Sequence, residues 1–197
     1  MFSLIGWLVV LYIIAFWVYE RFLKKVDPHV EAHTMPKLQP LPIPTKNHEG
    51  NLRKAMAGLF EVRQWKLEDN WEYKIDDETT VVIPKGFIFD GASIPRPLWS
   101  LINPTGLLLI PGLIHDYGYK YDMIWKKGEK GKIEPCYEGA GKDHWDKLFR
   151  DVGDEVNGFA LVNKIGWLGV RLGGGGPWKK HRNANNEPSK PEAMGTA

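Results

Sequence analysis

The sequence predicts an α+β domain, a small antiparallel sheet followed by a helical half that carries a His-Asp motif, with one transmembrane helix at the N-terminus. Three observations lead there. Residues 65–89 are rich in β-branched and aromatic side chains and are broken by turn residues. Beyond residue 106, apolar side chains recur at helical spacing. No charged residue occurs from Phe2 to Tyr19, a run about long enough to cross a bilayer core.

The N-terminal run makes residues 2–19 the expected contact with a lipid bilayer, with Trp7, Trp17 and Tyr19 as interfacial anchors. A buried core helix is the alternative. A cleavable signal peptide would need a basic start and a small-residue cleavage site, and this start has neither. Arg21, Lys24 and Lys25 follow the run and no charged side chain precedes it, so the positive-inside rule places the C-terminal body in the cytoplasm of a single-pass protein. Residues 1–25 are thus the anchor with its basic flank. Residues 26–48 hold Pro28, Pro36, Pro40, Pro42 and Pro44 and predict a stiff, extended stalk; "PLPIP" within it resembles a polyproline ligand. Residues 49–178 form the globular domain, and the polar stretch 179–197 is expected to be disordered.

Within the domain, Leu52, Met56, Leu59 and Phe60 space a helix over 51–62. "WKLEDNWEYKI" and "TTVVIPKGFIF" predict two to four strands with turns at "EDN" and at Pro84-Lys85-Gly86. Ser93 suits a helix N-cap, with Pro95 just inside the helix. The next helix covers about 106–125 and is expected to start or restart near Pro111. Gly128 to Gly141 reads as a polar loop. Trp145, Leu148, Phe149 and Val152 then fall at i, i+3, i+4 and i+7 of a further helix with one buried face. "GFALVNKIGWLGVRLGGGG" is apolar nearly all round and is expected to be buried, with Gly158, Gly166 and Gly169 admitting another helix and the four glycines 173–176 acting as a hinge.

Net charge is +2 over 197 residues, without the basic excess of a nucleic-acid binder, so no nucleic-acid partner is expected. Cys136 is the only cysteine, which excludes an intrachain disulfide and a multi-cysteine zinc site. Any metal must be held by His and carboxylates.

Three polar clusters remain: Asp90, Ser93 and Arg96 in "FIFDGASIPR"; His115, Asp116 and Tyr119 in "LIHDYGYKYD"; and Asp143, His144 and Asp146. Helix geometry at roughly 100° per residue puts Asp146 at the edge of the face centred on Trp145 and turns Asp143 to solvent as a candidate N-cap. His115 and Tyr119 share a face, while Asp116 points elsewhere. Two antiparallel helices can then set Asp146 against His115, where a carboxylate fixes the imidazole tautomer and raises its basicity. Asp116 would face a cleft and bind a hard cation or a water. The same residues also suit a purely structural network, since buried polar groups must find partners. Spacing leaves both readings open.

The ordered set "FIFDGASIPRPLW", "IHDYGY", "WDKLF" and "GVRLGG" resembles an uncharacterised domain family of phage and prophage proteins, over roughly Trp65 to Trp178. The resemblance implies a viral or prophage origin, hence the inner membrane of a bacterial host. It puts weight on Asp90, Ser93, Pro95, His115, Asp116, Tyr119 and Asp146. The H-D-x-x-Y and D-x-x-F pair also resembles the helix pair of phospholipase A2. That resemblance implies His115 as base, Asp116 as ligand to calcium or another divalent cation, Asp146 as the residue orienting His115, and Tyr119 as its support. The chain departs from that pattern in lacking a disulfide framework and a glycine-rich calcium loop. A third resemblance, to HD-type metal phosphohydrolases, would need an upstream histidine, and His29, His33 and His48 all lie in or near the stalk. The expected activity is hydrolysis of a lipid or phosphate ester, metal-assisted in one version. The competing expectation is a non-catalytic tethered module that binds a host membrane protein or a virion component.

Overall fold

The computed structural model describes residues 4–23, 35–42, 49–60, 64–90, 106–184 and 186–191. They fall into two units, 1–34 and 35–197.

In the first unit, α1 (Leu4–Val18) gives way to a π-helical turn, Tyr19–Leu23. Large apolar side chains from Trp7 to Tyr19 stand exposed on every side of it. The expected transmembrane helix is not realised as such: among the described residues no helix is long and apolar enough to cross a membrane. The reason is length. At about 1.5 Å per residue, the 15 residues of α1 reach short of a hydrocarbon core about 30 Å thick.

The second unit is α+β, with two small antiparallel sheets. One has the order β1-β2-β5 (Leu38–Pro40, Trp65–Leu67, Ile88–Phe89) and the other β3-β4-β6-β7 (Trp71–Lys74, Thr80–Ile83, Ile124–Lys127, Ile133–Cys136). The "EDN" turn therefore does not close a hairpin. It hands the chain from one sheet to the other, and Pro84-Lys85-Gly86 hands it back. The two turns are tied where Asn70 Oδ1 accepts the Lys85 N–H at 2.8 Å. Gly86 takes a φ of 85° there, a conformation open to glycine at no steric cost. Between β3 and β4, Asp76 Oδ1 accepts the N–H groups of Glu78 and Thr79, an Asx turn that fixes the register Trp71↔Ile83 to Lys74↔Thr80.

Two segments read otherwise from sequence belong to these sheets. Leu38–Pro40, expected in the stalk, is the edge strand beside β2, where Pro40 lacks only an outward-facing donor. Residues 128–141, expected as a loop, contain β7, whose Pro135 again sits on an edge. Pairing with β4 holds β6 in place and so overrides weak local strand propensity.

The helices are α2 (Asn51–Phe60), α3 (Leu109–Tyr121), α4 (Lys142–Asn157), α5 (Ala160–Gly173) and α6 (Gly175–Asn183). Leu52 and Met56 of α2 are exposed and Ala57 is buried, so the apolar face expected there is not buried at its first two positions. Pro111 falls in the first turn of α3, where its missing N–H has no partner to lose. The helix ends at Tyr121, earlier than expected, because Asp122 adopts a left-handed conformation and β6 begins. α4 buries Trp145, Leu148, Phe149 and Val152, as its spacing requires. α3 and α4 run antiparallel, with Gly118 against Trp145. A Cβ on Gly118 would meet the Trp145 indole at 2.1 Å. One core joins the two sheets to this pair, through Leu67, Val81, Ile83, Phe89, Leu113, Tyr117 and Trp145.

α5 corrects the expectation of full burial. Val162 and Asn163 are buried, but Leu161, Ile165, Leu168 and Leu172 are exposed, a stripe at helical spacing. Of the glycines expected to admit a helix, Gly166 does so against Phe149 and Leu108, and Gly169 faces open space. Gly158 instead takes a positive φ and ends α4. α6 continues past Lys179, where the tail was expected to start, because Arg182 bonds the carbonyls of Tyr119 and Lys120 and packs on Trp178.

Candidate functional site

The antiparallel pairing of α3 and α4 puts the two halves of the His-Asp motif face to face. His115 is 5% exposed and Asp146 0%, deeper than the edge position read from helical geometry. Their contact is 3.1 Å, from His115 Nε2 to Asp146 Oδ1. The same oxygen accepts the Tyr119 hydroxyl at 2.8 Å. Lys142, one turn earlier on α4, donates to Asp146 Oδ2 at 2.5 Å and to the Arg171 carbonyl at 3.1 Å. Arg171 on α5 bonds Asp143 at 2.7 Å and stands 3.9 Å from Asp146 Oδ2. Asp143 is therefore exposed as expected, but it pairs across helices and is not the N-cap, a place taken by Gly141.

Burial alone would raise the Asp146 pKa. Bonds from His115, Lys142 and Tyr119 outweigh it and hold the carboxyl below its ordinary range. Asp146 is therefore ionised at neutral pH and can only accept. It follows that His115 carries its proton on Nε2, which leaves Nδ1 as the basic nitrogen. Tyr119 is raised by burial and by its bond to the Asp146 anion, so it remains a neutral donor. Its ring also lies against His115, with centroids 4.1 Å apart.

Nδ1 faces Asp116, at 3.7 Å from Oδ1, beyond direct hydrogen-bond range. The Asp116 side chain is 23% exposed, and its Oδ2 is buried with no hydrogen-bond partner among the described residues. Burial, opposed by His115 and reinforced by the nearby Asp90 carboxylate, raises its pKa to about 7. Burial likewise pulls His115 down, but the two flanking aspartates outweigh it and its pKa is raised. Asp90, at the end of β5, thus joins the site through Asp116. Ser93 and Arg96 lie outside the described residues. Asp116 and Asp90 offer two carboxylates to a cation; among the described residues no group of three His, Cys, Asp or Glu side chains could hold a metal ion.

These shifts give stability a definite pH dependence. Asp116 ionises near pH 4 when unfolded but near 7 when folded, so the folded state holds the extra proton and loses stability as pH rises across that window. His115 is raised, so its contribution is complete below about pH 6.5 and is lost as pH rises through its folded value. Asp146 is lowered, so its contribution is present above about pH 4 and is lost on acidification. Urea midpoints are expected to peak near pH 5 and to fall toward pH 8, and Asp116→Asn should flatten the fall.

Several supporting residues were not singled out from sequence. Lys142 could have been read from its i,i+4 spacing to Asp146. Gly174, within the expected hinge, lies where a Cβ would meet the Tyr119 hydroxyl at 2.2 Å, so it keeps the Tyr119–Asp146 bond free of obstruction. Asp122 takes the Gly141 N–H and the Trp145 indole N–H, both at 2.9 Å, and so joins the end of α3 to the start of α4. Asn163 is fully buried and bonded to Asp154 and Asn157.

A family model described as "Protein of unknown function (DUF1353)" matches residues 65–170. The match spans more than half of the chain and includes the site residues described above except Arg171 and Gly174. Neither a curated protein nor a solved structure matches the chain. The chain belongs to the DUF1353 family.

Proposed function

We propose that this DUF1353 member is a membrane-tethered phage or prophage hydrolase of lipid or phosphate esters, acting through His115. The observation that carries the reading is the polarity of the imidazole. Asp146 engages Nε2 at 3.1 Å, and Tyr119 and Lys142 fix Asp146 in turn, so the basic nitrogen is aimed at Asp116, a partly exposed carboxylate. An oriented base beside such a group is suited to taking a proton from water. Asp116 with Asp90 is the place for a divalent cation, which would displace the proton that the raised Asp116 holds. Residues 2–19 supply the tether. Their support is the absence of charge from Phe2 to Tyr19 and the exposed apolar side chains of α1, although α1 by itself is shorter than a bilayer core.

A second reading has its own observation: His115 is 5% exposed, and both of its nitrogens face aspartates. On that reading the network only holds α3 to α4, and the domain is a tethered binding module with the exposed α5 stripe as its contact face.

The test is hydrolysis by the full chain, extracted in detergent, of phospholipid and phosphate-ester substrates, with calcium and with chelator. Turnover is expected to rise with pH through the His115 titration and to fall by about 10²–10⁴-fold in His115→Ala. Absence of turnover by the wild type on every ester would leave the second reading.

A further inference from the structure

The C-terminal tail carries a feature unrelated to the His-Asp site. Pro188-Ser189-Lys190-Pro191 has two prolines at a spacing of three, the repeat of a polyproline II turn. This segment is not loose. The Trp125 indole N–H donates to the Ser189 carbonyl at 3.0 Å, and Pro191 is buried. Pro188 forms part of the wall of a cavity of about 380 Å³ that Tyr121, Trp125, Pro135 and Glu138 also line.

We propose that the groove at Trp125 is a receptor for proline-rich peptides, occupied in the free chain by its own tail. Three physical points support this. A polyproline II segment makes no internal hydrogen bonds and presents its carbonyls outward, so an indole N–H beside Tyr121 and Pro135 is a fitting donor for one of them. Proline lacks an N–H, so a groove that offers a donor and apolar surface leaves little of such a peptide unsatisfied. The tail also leaves the cavity open, at a volume within the range of ordinary ligand pockets. A peptide with a larger side chain beside the first proline would fill it. Glu138 on the wall favours a peptide that carries a basic residue, as the tail does at Lys190; Asp122, also on the wall, is already engaged by the Gly141 and Trp145 N–H groups and by Arg182 at 3.6 Å.

Because the tail leaves α6 only a few residues before the groove, its effective concentration is high and it masks the groove from peptides in trans. The test uses the full chain and two synthetic peptides, EPSKPEA and its control EASKAEA, with the Trp125 indole signal followed by NMR and assigned by its loss in Trp125→Phe. Wild type is expected to bind EPSKPEA weakly. The Pro188→Ala/Pro191→Ala chain should bind it about tenfold more tightly or better, with a shift of the Trp125 signal. Adding Trp125→Phe, which keeps an aromatic ring but removes the donor, should reverse that gain. Equal binding of the control peptide, or no gain in the double-alanine chain, would overturn the proposal. A concentration-dependent dimer in wild type that disappears in the double-alanine chain would overturn it too, by showing that the groove takes the tail of a second copy.

Discussion

Asp146→Leu is expected to destabilise the second unit by about 3–5 kcal/mol. The carboxylate is fully buried and accepts from His115, Tyr119 and Lys142. Leucine fills a similar volume but leaves all three donors without their acceptor, and unmade bonds in the interior cost more than made ones contribute. Lys142 can turn outward, since its side chain is 20% exposed. His115 cannot. Urea denaturation measures the effect. Tyr119→Phe, which deletes a single donor and leaves Asp146 otherwise paired, should cost only about 1 kcal/mol on the same curve. Equal losses for the two variants would mean that Asp146 is not the hub of the network.

Gly118→Ala is expected to cost about 1–3 kcal/mol through one contact. Its new Cβ would overlap the Trp145 indole at 2.1 Å, and Trp145 is fully buried with its N–H committed to Asp122. Neither the ring nor the helix can yield without disturbing the His115–Asp146 register, because Asp146 is the next residue of α4. Thermal denaturation should show a midpoint lowered by several degrees. In a Trp145→Phe background, where the ring is smaller, the added cost of Gly118→Ala should shrink, a non-additivity expected of residues in contact. A full additive cost would place the strain elsewhere.

These two positions also show what the sequence could reveal. The meeting of His115, Tyr119 and Asp146 was legible because it needs only helical periodicity and one antiparallel pairing. Trp145, Leu148, Phe149 and Val152 announced the buried face of α4 for the same reason. Gly118 was not legible, since its purpose is the indole opposite, 27 residues later in the chain. The burial of Asp146 was missed because a periodic wheel places a side chain by angle alone, whereas Lys142 on its own helix and Arg171 on α5 close over it. The hairpin β6–β7 was hidden because two lysines, a glutamate and a proline interrupt its apolar residues and its order comes from pairing with β4. In α5 the error ran the other way. Apolar residues all round suggested burial, but the helix presents only a narrow face to the core. At the N-terminus, composition gave the apolar run but not the point where the α-helix yields to a π-helical turn.

On the proposed function, Asp146 orients His115 so that Nδ1 acts as a base. The most direct measurement is ester turnover by Asp146→Asn beside its urea midpoint. Asparagine keeps the shape, but the Lys142 ammonium draws its oxygen to the Oδ2 position, so its NH2 group meets Nε2 and the Tyr119 hydroxyl where Oδ1 stood, which shifts the imidazole proton to Nδ1, the wrong tautomer for a base there. Turnover should fall by at least about 10²-fold, with the midpoint displaced far less than in Asp146→Leu. Turnover equal to that of the wild type, in a chain that folds normally, would contradict the claim.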